Sequence, residues 1–139
     1  MGWLGWALAS AAFAALTAVF GKIGVTGVQS DYATFLRTLV IVALIAAVVT
    51  AGGHWRSPAD LPGRSLAFLG LSGLATGASW LCYYRALLLG QAAQVAPIDK
   101  LSVVLVAVFG VAFLQERLSA ANWAGIALIA GGTILVAWR

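Results

Sequence analysis

Five apolar stretches, separated by short polar or glycine-rich turns, constrain this chain more than any other feature. They run from Trp3 to Phe20, Tyr32 to Thr50, Ser65 to Tyr84, Ala92 to Leu114 and Ala120 to Trp138. A bilayer core of about 30 Å takes about 20 apolar residues per helix. None of the stretches alternates apolar and polar residues, so a β-barrel is not expected. Of the 139 residues, 63% are hydrophobic and 9% are charged, against about 25% charged in soluble domains. The expectation is an all-α integral membrane protein with five transmembrane helices, its ends on opposite sides, and a single domain over residues 1–139.

The turns read clearly. Gly21, Gly24 and Gly27 surround the first. The longest polar segment, from Gly52 to Arg64, holds two prolines and three glycines, which break helices. Leu89-Gly90-Gln91 is a tight turn. The segment from Gln115 to Ser119 is another, with Ser119 placed to cap the last helix. No Lys or Arg precedes the first apolar stretch, so it reads as a mature span and not as a signal peptide.

The net charge is +4, but the eight Lys and Arg are scattered singly between spans, so no nucleic-acid surface is expected. The single cysteine, Cys82, lies in an apolar stretch and reads as a small core residue. The single histidine, His54, lies in a polar loop. No metal or cofactor site is expected from them.

Asp99 and Lys100 stand side by side inside the fourth apolar stretch. A charge at the centre of a membrane helix costs about 3 kcal/mol on insertion scales, so two such charges point to work on a solute, ion or proton. Pro97 just before them cannot donate to the carbonyl of Ala93. Freed backbone at membrane depth is tolerated where it faces protein or a watery cavity. Adjacent helical residues do not face one another. Asp99 is therefore expected to pair with Arg85 or Arg37, while Ser102, three residues on, shares its face.

Aromatic residues cluster at span ends. Trp3, Trp6, Trp55, Trp123 and Trp138 read as an interfacial belt. Gly70, Gly73, Gly77, Trp80 and Tyr84 fall on one face of the third helix, where small residues let another helix approach. The same face could close on a cavity with Trp80 and Tyr84. Ala121, Gly125, Leu128 and Gly132 form a small-residue stripe on the last helix, read as a helix–helix contact between subunits. Glu116-Arg117 reads as an interfacial anchor.

Five spans divide the positive charges almost evenly. One side holds Lys22, Arg37, Arg85, Lys100 and Arg139, with Lys100, Arg37 and Arg85 inside spans. The other holds Arg56, Arg64, Arg117 and the terminal amine. A near tie in loop charge gives no strong orientation. Many transporters contain two repeats of inverted topology, and two oppositely inserted copies would supply both.

The stretch from Trp80 to Leu87, then Gly90, Val95-Ala96-Pro97-Ile98-Asp99-Lys100-Leu101-Ser102, Phe113 to Ser119, and the glycine-rich last helix together resemble an EamA domain of the drug/metabolite transporter superfamily. The resemblance covers essentially the whole chain and is uninformative about substrate. It implies a transporter built from five-helix units, most members joining two units in opposite orientation. Here it implies an antiparallel homodimer of ten helices. It also implies a substrate cavity lined by the first, third and fourth helices. Candidate substrate residues are accordingly Trp80, Tyr83, Tyr84, Arg85, Pro97, Asp99, Lys100 and Ser102. The related small multidrug resistance proteins carry an essential glutamate in the first helix. This chain has no acid between Met1 and Lys22, so proton-coupled export of drug cations by that route is not implied.

No zinc-protease, nucleophile-elbow or phosphate-loop motif occurs, and no enzyme is expected. The reading is a multi-pass secondary carrier or exporter of small polar or amphipathic metabolites. Its expected place is a bacterial or archaeal inner membrane. Its expected partners are the lipid bilayer, a second copy of itself and an unidentified small solute. The competing reading is a non-transporting assembly or lipid-interacting subunit, which would not need charges in its fourth span.

Overall fold

A computed structural model describes residues 2–138. Arg139 and the terminal amine of Met1, both counted in the charge tally, lie outside them. The described residues are helical, with five segments long and apolar enough to cross a membrane. The helices are α1 (Trp3–Val25), α2 (Ser30–Ala51), α3 (Gly63–Leu89), α4 (Ala92–Asp99), α5 (Ser102–Leu114) and α6 (Ala120–Ala137). The fourth span is thus two helices, α4 and α5. Several bounds exceed the apolar stretches. Lys22 belongs to the last turn of α1, and α3 continues five residues past Tyr84.

The chain divides into two compact units, one of Met1–Val19 with Leu89–Arg139 and one of Phe20–Leu88. In the second unit, the end of α1 packs against α3. Val25 and Leu87 are fully buried, and Tyr84 nearly so. Gly21 suits this contact, because a Cβ there would lie a tight 3.2 Å from the Tyr84 hydroxyl and 3.3 Å from Leu87 Cδ1. Lys22 Nζ donates to the Leu87 carbonyl at 2.5 Å. A cation at the last carbonyls of α3 satisfies an acceptor with no helical partner and complements the helix dipole. Asp31 in the first turn of α2 puts a negative charge at a helix start, where it complements the dipole.

The turns follow their residues. Gly27 and Gly53 adopt φ of +78° and +63° at the ends of α1 and α2, a region costly for residues with a Cβ. In the polar loop, Ser57 caps a short 3₁₀ turn at Pro58–Asp60.

In the first unit, α6 packs on both α4 and α5. Ser119 caps α6 as expected, and Asn122 completes a reciprocal capping box. α5 ends on Gln115 at φ 57°, with the Glu116 amide donating to the Gly110 carbonyl at 3.1 Å.

Most apolar side chains of the spans are exposed on the chain itself, as lipid-facing residues are. Cys82 is among the exposed residues, correcting its reading as a core residue. It lies on α3, whose outer surface is not covered by this chain. A Cβ added at Gly70, Gly73 or Gly77 of α3, or at Gly125 or Gly132 of α6, meets nothing within 4 Å. The glycine stripes are therefore not used for close helix approach among the described residues.

Candidate functional site: a ring-held arginine between helices α2 and α3

Helices α2 and α3 run antiparallel, so the start of α2 and the end of α3 meet at the same membrane side. Their charged residues pair there. Arg85 Nη2 donates to both carboxylate oxygens of Asp31, each at 3.0 Å. Both side chains are well exposed on the chain.

Two helical turns further along α2 lies Arg37. Its guanidinium carbon sits 4.1 Å from the centre of the Trp80 ring and 5.3 Å from that of Tyr84. These are cation–π distances, and the attraction grows when the cation is removed from water. Tyr83 meets Tyr84 edge to face, with ring centres 6.3 Å apart. Arg37 Nη1 is buried and makes no hydrogen bond among the described residues. A buried donor without a partner costs about 1–3 kcal/mol, and more on a charged group. Seven residues into α2, at about 1.5 Å per residue, Arg37 is about 10 Å along the helix from Ser30.

Beside this cluster, α2 and α3 line an open, mostly apolar cleft of about 620 Å³, with Phe35, Ile41, Val42 and Leu69 in its wall and Thr34, Thr38, Ser72 and Thr76 as polar groups. Thr34, Thr38 and Thr76 each donate their hydroxyl to the carbonyl four residues back, at 2.8 Å. These bonds satisfy the hydroxyl donors within their own helices.

The other expected site residues lie on the fourth span. Pro97 is inside α4. The amides of Lys100 and Leu101 bond to the carbonyls of Pro97 and Ile98, and those of Val103 and Val104 to Lys100 and Leu101, at 2.9–3.0 Å. All four are bonds of the tighter three-residue spacing, so the span is interrupted at Lys100-Leu101, between Asp99 and Ser102.

The pairing expected for Asp99 needs correction. Asp99 Oδ2 lies 3.3 Å from Lys100 Nζ, while Arg85 is engaged by Asp31 and Arg37 by two aromatic rings. The rule against adjacent pairing holds inside a regular helix. Here Asp99 ends α4 and Lys100 is already its C-cap residue, so the lysine side chain is free to fold back.

Of the eight expected residues, the structure brings Trp80, Tyr83 and Tyr84 into one aromatic group and places Arg85 one turn beyond. Pro97, Asp99, Lys100 and Ser102 sit around the break in the other unit. Sequence reasoning missed Asp31 and left Arg37 as a mere counter-charge. Both carried a signal. Asp31 is the only acid between Met1 and Asp60, at the membrane side where α3 ends, and Arg37 is the one charge inside the second apolar stretch.

Residues 1–138 match the EamA-like transporter family. The chain belongs to that family. A Sinorhizobium sp. protein named "Uncharacterized transporter in cobO 3'region" is 62% identical over 135 residues, covering 97% of this chain and 96% of the relative. No solved structure matches the chain. The EamA assignment agrees with five membrane-crossing segments and makes this an integral multi-pass membrane protein.

Proposed function

We propose that this protein is a secondary carrier of small polar or amphipathic metabolites, working by alternating access as a pair of oppositely inserted copies. The observation that carries this reading is Arg37. A guanidinium about a third of the way into a span, clasped by Trp80 and Tyr84 with one nitrogen unpartnered, is an expensive feature for an inert membrane helix. Membership of a transporter family and the name of the Sinorhizobium relative support it. In this reading Trp80, Tyr83, Tyr84 and Arg85 contact the solute at the end of α3. Pro97, Asp99, Lys100 and Ser102 do so at the break in the fourth span, where discontinuous helices commonly form transporter sites. The inverted pair is supported by the near tie in loop charge.

The test is efflux from proteoliposomes loaded with a defined mixture of amino acids, organic acids and amines, followed by mass spectrometry of the outside solution. The carrier reading expects time-dependent loss of at least one solute beyond that from protein-free liposomes. Retention of every solute by correctly assembled protein, across both directions of ion gradient, contradicts it.

A further inference from the structure

We infer that Arg37 is the binding group for an anionic oxygen ligand, a carboxylate or a phosphate, so that the solute carries a negative group. This rests on the carrier reading and names its substrate class.

Arg85 satisfies Asp31 with two hydrogen bonds, so the nearest acid of α2 is already committed. Arg37 has no carboxylate partner among the described residues. Its charge meets only the faces of Trp80 and Tyr84, which attract a cation but accept no conventional hydrogen bond. Nη1 is left buried without an acceptor. The guanidinium is always charged and presents its donors in a planar fork that matches carboxylate and phosphate. Two ring contacts place the group, which lowers the side-chain freedom that a ligand must freeze. A cationic solute would be repelled by the same group. Nη1 is buried in this conformation, so ligand binding requires the contact with Trp80 and Tyr84 to open.

The anion could be part of a soluble metabolite or the phosphate of a lipid headgroup. The experiment separates the two. Protein in phosphatidylcholine nanodiscs is unfolded by heat while inorganic phosphate or succinate is titrated at constant ionic strength. A second set of discs contains phosphatidylglycerol. Bound anion raises the melting temperature in proportion to its affinity. A saturable rise with phosphate or succinate, weakened by roughly tenfold in apparent Kd for Arg37→Gln, assigns a soluble anion. A rise only with phosphatidylglycerol, lost in the same variant, assigns the group to a lipid headgroup and overturns the solute class. Arg37→Lys keeps the charge without the fork and folds under a milder change. It is expected to bind more weakly than wild type, and it carries the test should Arg37→Gln not assemble. No stabilisation of wild type by any of the three anions, or equal responses of wild type and both variants, overturns the inference. Metabolite efflux without an anion response overturns the anion site alone, whereas anion binding without efflux overturns the carrier reading alone.

Discussion

The Arg37 guanidinium lies 4.1 Å from the centre of the Trp80 ring, one residue from α2 and one from α3 joined at membrane depth. Tyr84, one turn beyond Trp80, adds a second ring at 5.3 Å, and a Cβ added at Gly21 of α1 would lie 3.2 Å from its hydroxyl. The chain from Gly21 through Tyr84 to Arg37 connects the packing of three helices to one charge.

Gly21→Leu should break that chain. The neighbours are a buried tyrosine and a fully buried leucine, which have little room to give. Overpacking of this kind costs about 1–3 kcal/mol. A drop in melting temperature of the purified protein is expected, and unchanged stability would show that Tyr84 moves freely.

Arg85 and Asp31 should behave as a coupled pair. Removing one partner leaves the other unpaired near the membrane, so Arg85→Gln alone is expected to destabilise more than Arg85→Gln combined with Asp31→Asn. Exposed pairs are worth about 0.2–1 kcal/mol in water. Thermal unfolding of both single variants and the double variant measures the coupling. Strict additivity would mean the contact contributes nothing.

The break in the fourth span makes a separate prediction. Neutralising Asp99 and Lys100 together removes a pair exposed on the chain and should leave folding nearly intact. Asp99→Asn alone should cut efflux strongly if this pair meets the solute or a coupling ion. Normal efflux by both Asp99→Asn and Lys100→Gln, at normal expression, would remove the pair from the transport path.

Orientation is testable through the loop that joins α2 and α3. Two added Lys between residues 52 and 64 should drive most chains into one orientation, because short-loop Lys and Arg set topology. Efflux should then fall, and co-expression with an oppositely biased variant should restore it. A single orientation of the wild type in native membrane contradicts the inverted pair.

Much of this protein was legible in its residues. The apolar stretches locate the spans because lipid admits little except helix, and Ser119 announces the start of α6 because a cap needs a small side-chain acceptor. The helix ends were harder. Lys22 lies inside α1, and its amine meets the Leu87 carbonyl, a contact 65 residues away. The site was half legible for the same reason. Trp80, Tyr83 and Tyr84 stand out as aromatic residues near a span end, and Asp99 and Lys100 as charges in an apolar run. Which charge meets which is set by the three-dimensional approach of helices. Arg85 took Asp31, a pairing visible only once α2 and α3 are recognised as antiparallel neighbours.

The proposed role of Arg37, beside Trp80 and Tyr84, is in transport. Its most direct test is metabolite efflux from proteoliposomes carrying equal amounts of wild type, Arg37→Lys and Arg37→Gln, each checked for assembly and melting temperature. A loss of roughly tenfold or more is expected for Arg37→Gln, the scale of one lost charge-assisted hydrogen bond. A smaller loss is predicted for Arg37→Lys, with both variants folded. Wild-type efflux by folded Arg37→Gln would contradict it.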